Sequence, residues 1–204
     1  MHHTVSLQVQ RLACRLALVA AAFVVWPAHA QDAPRVKFAT SMGDIVVEVY
    51  PDKAPKTVEN FLQYVRDKHY DGTILHRVID NFMIQGGGYD TRYAQKPTRT
   101  PIAHEGREAL AKGGPRNVTG TLAMARTMDP NSASAQFFIN VKDNAFLDHT
   151  APTPQGYGYT VFGKVVAGMD VVNRIKAVPT GPGGPFPSDV PRTPVVLLSA
   201  TLVR

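Results

Sequence analysis

The sequence predicts a mostly β fold, a closed eight-stranded antiparallel barrel with two α-helices. Eight short segments rich in β-branched and aromatic residues are separated by Gly- or Pro-containing turns at short intervals. Only two segments carry the 3.6-residue period of an amphipathic helix. These two do not alternate with the strands, as helices around a parallel sheet do, so an antiparallel sheet that closes on itself is the better solution.

The elements follow in order. Val36 to Tyr50 (VKFATSMGDIVVEVY) alternates on both sides of Ser41-Met42-Gly43-Asp44, which predicts a hairpin. Ala54 to Lys68 predicts the first helix, with Pro55 in its first turn and Val58, Phe61, Leu62 and Val65 on one face. Thr73–Ile79 and Phe82–Gln85 predict two strands, ended by Gly86-Gly87-Gly88. Residues 90–118 are polar and rich in Gly and Pro, and read as one long excursion. Strands resume at Gly120–Ala125, Gln136–Val141 and Tyr159–Val166. Gly168–Ile175 predicts the second helix, with Met169, Val172 and Ile175 on one face. Residues 178–194 hold six prolines and three glycines and read as loop, before a last apolar strand at Val195–Val203.

The first thirty residues read as an export signal. Arg11 and Arg15 precede an eleven-residue apolar run, Leu16 to Trp26, and then Ala28-His29-Ala30, a small-x-small cleavage pattern. The other readings are a membrane anchor or a buried helix, but eleven residues fall short of the about 20 that span a bilayer. Cys14, the one cysteine, lies before the apolar run, which disfavours a lipid-anchored cysteine. Cleavage after Ala30 leaves residues 31–204 as a single domain without cysteine, destined for the periplasm of a bacterium, with no membrane attachment.

Removing Arg11 and Arg15 takes 22 basic residues to 20 against 16 acidic ones, a formal charge of +4. These charges are scattered and interleaved, with no run of five or six of one sign, so nucleic acid is not an expected partner. With 44% hydrophobic and 19% charged residues the chain can build a packed core.

Most catalytic constellations are missing. His69, His76, His104 and His149 show no HxxxH or HxH spacing for zinc. There is no G-x-S-x-G elbow and no cysteine after cleavage. The three glycines at 86–88 follow a strand without the Lys-Ser/Thr of a phosphate loop, and read as a tight turn under close backbone contact. No metal or cofactor is expected. What remains is ILHRVIDNFMIQGG at 74–87, where Arg77 sits among apolar residues. On composition alone Arg77 is a surface side chain snorkelling over apolar neighbours.

Three stretches, HRVIDNFMIQGG at 76–87, GTLAMAR at 120–126 and SAQFFIN at 134–140, resemble the signatures of the cyclophilins, which are peptidyl-prolyl cis-trans isomerases. PKTVENF at 55–61, NAFLDH at 144–149 and VFGKVVAGMDVV at 161–172 support this, so the resemblance covers about residues 36–203. With the export signal it is closest to the periplasmic bacterial cyclophilins. It implies an eight-stranded barrel capped by two helices and an enzyme that rotates X-Pro bonds of exported polypeptides.

The resemblance also implies roles. Arg77 stands at the catalytic arginine, and Gln85 at the glutamine that bonds the substrate backbone and steadies that arginine. Phe82, Met83, Phe138 and Leu147 stand at positions lining the proline pocket, and Gln136 at a neighbouring polar position. Ala125 and Arg126 fall where backbone pairs with the bound peptide, Arg126 in place of a more common asparagine. Three further departures are visible: Asp80-Asn81 replaces a frequent Pro-Gly, Phe146 a common tryptophan, and Tyr159 a pocket histidine. The insert Thr150–Gly158 also differs. Without the indole N–H, only weak cyclosporin binding is expected. The implied partners are proline-containing unfolded or extended polypeptides, met by a monomer. Two other functions fit less of the sequence: a chaperone groove in which turnover is incidental, and a structural β-barrel.

Overall fold

The computed structural model describes residues 33–203. The proposed signal segment, residues 1–30, lies outside them. Eleven strands and three α-helices are present in this range: β1 Arg35–Thr40, β2 Gly43–Val49, α1 Pro55–Arg66, β3 Thr73–Ile74, β4 Arg77–Ile79, β5 Met83–Gly86, α2 Gly106–Ala111, β6 Thr121–Met124, β7 Phe137–Asn140, β8 Val161–Ala167, α3 Met169–Lys176, β9 Thr180–Gly183, β10 Phe186–Pro191 and β11 Val196–Val203.

Nine strands form one antiparallel sheet in the order β3-β11-β1-β2-β8-β6-β7-β5-β4. Its two edges, β3 and β4, are consecutive in the chain and separated only by Leu75 and His76. The segment predicted as one strand, Thr73–Ile79, therefore bends and serves both ends of the curled sheet. Its first half pairs with β11 and its second with β5. Counted as one bent strand, β3 and β4 bring the barrel to the eight strands expected.

Alternation along the strands builds the core. Val36 and Phe38 of β1, and Ile45, Val47 and Val49 of β2, are at most 2% exposed, and the residues between them are not buried. Inside, Phe38 stacks on Phe137 with ring centroids 5.1 Å apart, and Phe61 of α1 packs on Phe162 at 5.1 Å. The α1 face made of Val58, Phe61, Leu62 and Val65 closes one side, as the period predicts. Its N-terminus is served from a distance: the buried Glu105 carboxylate accepts the backbone N–H groups of Lys56 (3.1 Å) and Thr57 (2.8 Å). That pairing satisfies orphan donors and sets negative charge at the positive end of the helix.

Two expectations need correction. Residues 90–118 are not wholly irregular, because α2 lies within them; at six residues, with Ala109 its one buried side chain beyond Gly106, it is too short to show a period. The Pro-rich stretch at 178–194 is not simply loop but a two-stranded ribbon, β9 with β10. Its register shifts between Phe186 and Val190, and it forms a ladder separate from the main sheet while β10 packs beside β4. Edge ribbons of this kind tolerate prolines, which have no N–H to give to a ladder.

Candidate active site on the outer face of the barrel

Cross-strand register places the candidate residues together. Val78, Ile84, Ile139 and Leu122 stand opposite one another across β4, β5, β7 and β6, and all point into the main core. The alternate row must therefore face outward. It contains Arg77 opposite Gln85, Gln85 opposite Phe138, and Phe138 opposite Ala123. Met83, Ala123, Phe138, Leu147 and Val161 form a second apolar cluster on this face, separate from the core.

Nine of the eleven sequence-predicted site residues line one cavity of ≈ 180 Å³: Arg77, Phe82, Met83, Gln85, Ala125, Arg126, Phe138, Leu147 and Tyr159. Its floor is apolar and buried, with Met83 2%, Phe138 4% and Leu147 7% exposed. Phe138 and Tyr159 meet edge to face at 5.5 Å. Arg77 is half-buried at the lip, and among the described residues its guanidinium belongs to no ion pair. Phe82 reaches the cavity from the turn before β5, in which Asn81 takes φ +58°, a conformation asparagine accepts more readily than most residues.

The other two predicted residues stand beside the cavity. Gln136 lines an adjoining cavity of ≈ 290 Å³ and accepts a hydrogen bond at 3.0 Å from the Gln85 amide. Gln85 thus bonds to Gln136 and not to the Arg77 guanidinium. Phe146 is 70% exposed and stacks on Phe82 at 5.8 Å. Ala125 N–H is already given to Gln136 O (3.0 Å), whereas no backbone bond among the described residues uses the Arg126 N–H. Gly87 has φ +85°, and a Cβ there would meet the Tyr70 ring at 2.8 Å, so these glycines serve a crowded turn.

The cavity walls hang on a buried amide network that sequence reasoning missed. Asn144 donates to the carbonyl of Phe82 and to Asn140 Oδ1, both at 2.8 Å. Asn140 donates to Thr121 Oγ1 (2.9 Å) and Asn117 Oδ1 (3.2 Å). Asn117 donates to the Leu147 carbonyl (3.2 Å) and to the buried Asp148 carboxylate (3.0 Å). Two walls, Phe82 and Leu147, are thereby held by main-chain atoms. The one available signal was the polar residue ending a fully buried strand, FFIN at 137–140.

Arg126 does more than the sequence implies. Its guanidinium donates to three carbonyls, those of Gly158 (2.7 Å), Thr127 (2.8 Å) and Pro154 (2.8 Å), and lies 4.8 Å over the Tyr159 ring. It ties the Thr150–Gly158 insert to the cavity wall. His104 helps: its Nδ1 accepts from Gly106 N–H (3.1 Å), so its Nε2–H donates to Gly158 O (3.2 Å). Gly158 has φ +65° and touches the Leu147 carbonyl, where a Cβ would sit at 2.5 Å.

Burial disfavours the charged form of three histidines, His76, His104 and His69. Burial, reinforced by the charge of Arg77, lowers His76 to about 4. His76 stacks on Phe186 at 5.2 Å and meets Tyr89 at 4.8 Å, and its Nδ1 has no hydrogen-bond partner among the described residues. Burial also lowers His104 and His69.

The family profile described as Cyclophilin type peptidyl-prolyl cis-trans isomerase/CLD matches residues 35–202. A peptidyl-prolyl cis-trans isomerase of Streptomyces antibioticus is 58% identical over 168 residues, covering 82% of this chain and 98% of that protein. Peptidyl-prolyl cis-trans isomerase B of Escherichia coli is 53% identical over 167 residues, with coverages of 82% and 98%. The crystal structure of a Cryptosporidium parvum cyclophilin type peptidyl-prolyl cis-trans isomerase shares the fold, with TM-score 0.64 at 22% identity, covering 84% of this chain and 98% of that one. A second crystal structure of it, determined in the presence of the dipeptide Ala-Pro, gives TM-score 0.63. The chain belongs to the cyclophilin family and is a peptidyl-prolyl cis-trans isomerase.

Proposed function

We propose that this cyclophilin binds the proline of its substrate in the cavity floored by Met83, Phe138 and Leu147, and turns the X-Pro bond beside Arg77. The carrying observation is the outward row Arg77, Gln85, Phe138, which sets a guanidinium with no ion pair among the described residues beside a small cavity with an apolar floor. The Ala-Pro present in a fold relative's crystal supports a proline ligand. So does the open Arg126 N–H, which suits a passing peptide carbonyl.

The chemistry needs no bond to break. Amide resonance resists rotation by about 18–20 kcal/mol. At the half-turned geometry resonance is lost, and the proline nitrogen becomes pyramidal and accepts a hydrogen bond that the planar amide cannot. Arg77, with the fixed fork of donors of a guanidinium, supplies it. That contact strengthens only in the transition state, as catalysis requires. A charge-assisted hydrogen bond contributes about 1.5–3 kcal/mol. An acceleration on the order of 10⁵ needs about 7 kcal/mol. The remainder falls to positioning: a rigid pocket grips the ring on one side while the other side turns.

The substrates we assign are unfolded or extended polypeptides exported to the periplasm, reached by way of the signal at residues 1–30, which leaves residues 31–204 as the working domain. Two measurements test this reading. The first is cis–trans exchange of an X-Pro peptide with residues 31–204; binding without acceleration would favour a chaperone groove. The second is the N-terminal sequence of the protein recovered from the periplasm of a bacterium producing the full chain. A chain retained in the cytoplasm with residues 1–30 intact defeats the export assignment.

A further inference from the structure

The proline cavity and its polar neighbour share Gln85, Ala125 and Arg126 as a common divide. Neither lining contains a carboxylate; the charged side chains in them are Arg77 and Arg126, both cationic. Among the described residues no ion pair involves either guanidinium. The acidic residues close to these walls in sequence are committed elsewhere. Asp148 is buried and accepts from Arg116 (3.1 Å) and Asn117. Asp129 accepts from Asn131 N–H (2.9 Å), and Asp80 faces Lys176 at 3.5 Å.

Arg126 is also fixed in place. Three carbonyls and the Tyr159 ring hold its planar head. Those bonds use three of the five N–H donors of a guanidinium, so two remain. Its carbonyl partners carry no charge to neutralise it. A fixed cation with no ion pair among the described residues, beside a cavity with a buried apolar floor, favours an anion that arrives with the ligand.

We propose that the site prefers proline segments bearing an acidic residue next to the proline, and that Arg126 is the specificity-determining residue. This rests on the proline cavity assigned above.

The test uses residues 31–204 and short Ala-Pro peptides in which Glu, Gln or Lys replaces each flanking residue in turn. Exchange rate and dissociation constant are both read by NMR. At one or more positions Glu should exceed Gln in kcat/KM or affinity by about two- to fivefold at low salt, with Lys below Gln. The ratio should shrink toward one in about 1 M salt, where screening acts over roughly 3 Å. Arg126→Gln should bring the Glu-to-Gln ratio to one whatever its absolute rate, and Arg126→Lys should keep it. Equal treatment of Glu and Gln by the wild type, with Ala-Pro peptides still turned over, overturns the preference and leaves the proline cavity standing. A preference that survives in Arg126→Gln overturns the assignment to Arg126. Failure of every peptide to bind or turn over removes the proline cavity and this proposal together.

Discussion

Arg77 and Gln85 face each other across β4 and β5, and Gln85 spends its amide on Gln136 at 3.0 Å. The guanidinium is therefore positioned by its strand and by the apolar wall rather than by a carboxylate. A counter-charge there would weaken the donor in the ground state as well as in the transition state. In the role proposed for Arg77, having no ion pair among the described residues keeps its full strength for the twisted bond.

Arg77→Ala should lower kcat/KM for an X-Pro peptide by about 10- to 150-fold, the worth of one charge-assisted hydrogen bond. Its melting temperature should match the wild type, because the side chain sits on the outer lip and not in the core. NMR exchange and a thermal melt decide it; undiminished turnover removes Arg77 from the mechanism.

Isomerase rate should be nearly flat between about pH 6 and 8, since arginine stays protonated throughout. His76, beside Arg77, is already neutral there, being lowered to about 4. A rate step centred near 6.5 would point to a titrating histidine in the chemistry instead.

Stability should behave differently from rate. The folded pKa of His76 lies below its unfolded value, so between about 6.5 and 4 the unfolded chain binds the extra proton. Stability is full above the unfolded value and falls as pH drops through this window, by on the order of 3 kcal/mol in total. His69 and His104 add losses of the same sign. Denaturant titrations at several pH values should show that His76→Phe, which keeps the contact with Phe186, flattens part of this slope.

Asn144→Ala should destabilise the fold by about 1–3 kcal/mol, because it strips the buried Asn140 Oδ1 of its donor and leaves Phe82 O with the Val141 N–H alone. It should also raise KM by loosening the Phe82 wall. Urea unfolding and steady-state kinetics read the two effects; an unchanged KM would show that this wall does not depend on the network.

Cyclosporin should inhibit only weakly, and Phe146→Trp should strengthen it. The exposed Phe146 ring stacks on Phe82 but offers no N–H. Nanomolar inhibition of the unaltered protein contradicts this expectation.

Much of this molecule is legible in its amino-acid order alone. The hairpin at Val36–Tyr50, both amphipathic helices and the strand segments all leave local periodic traces, and the motif at 76–87 points to Arg77. The bend at Leu75-His76 is not legible: Thr73–Ile79 is a continuous β-former run, and only pairing with β11 at one end and β5 at the other divides it. Helix α2 is too short to show a period, and the prolines of 178–194 mask a ribbon whose few bonds avoid their missing N–H groups.

By itself the sequence determined the β-rich barrel, the family and the residue types of the site, because alternation and motif are written in neighbouring positions. The tertiary structure decided which way each row faces and what holds it. Glu105 caps a helix 48 residues away. Asn144 anchors a carbonyl 62 residues away, and Arg126 grips an insert about 30 residues on. Such contacts depend on how curled strands bring distant segments together, and no local pattern encodes that distance.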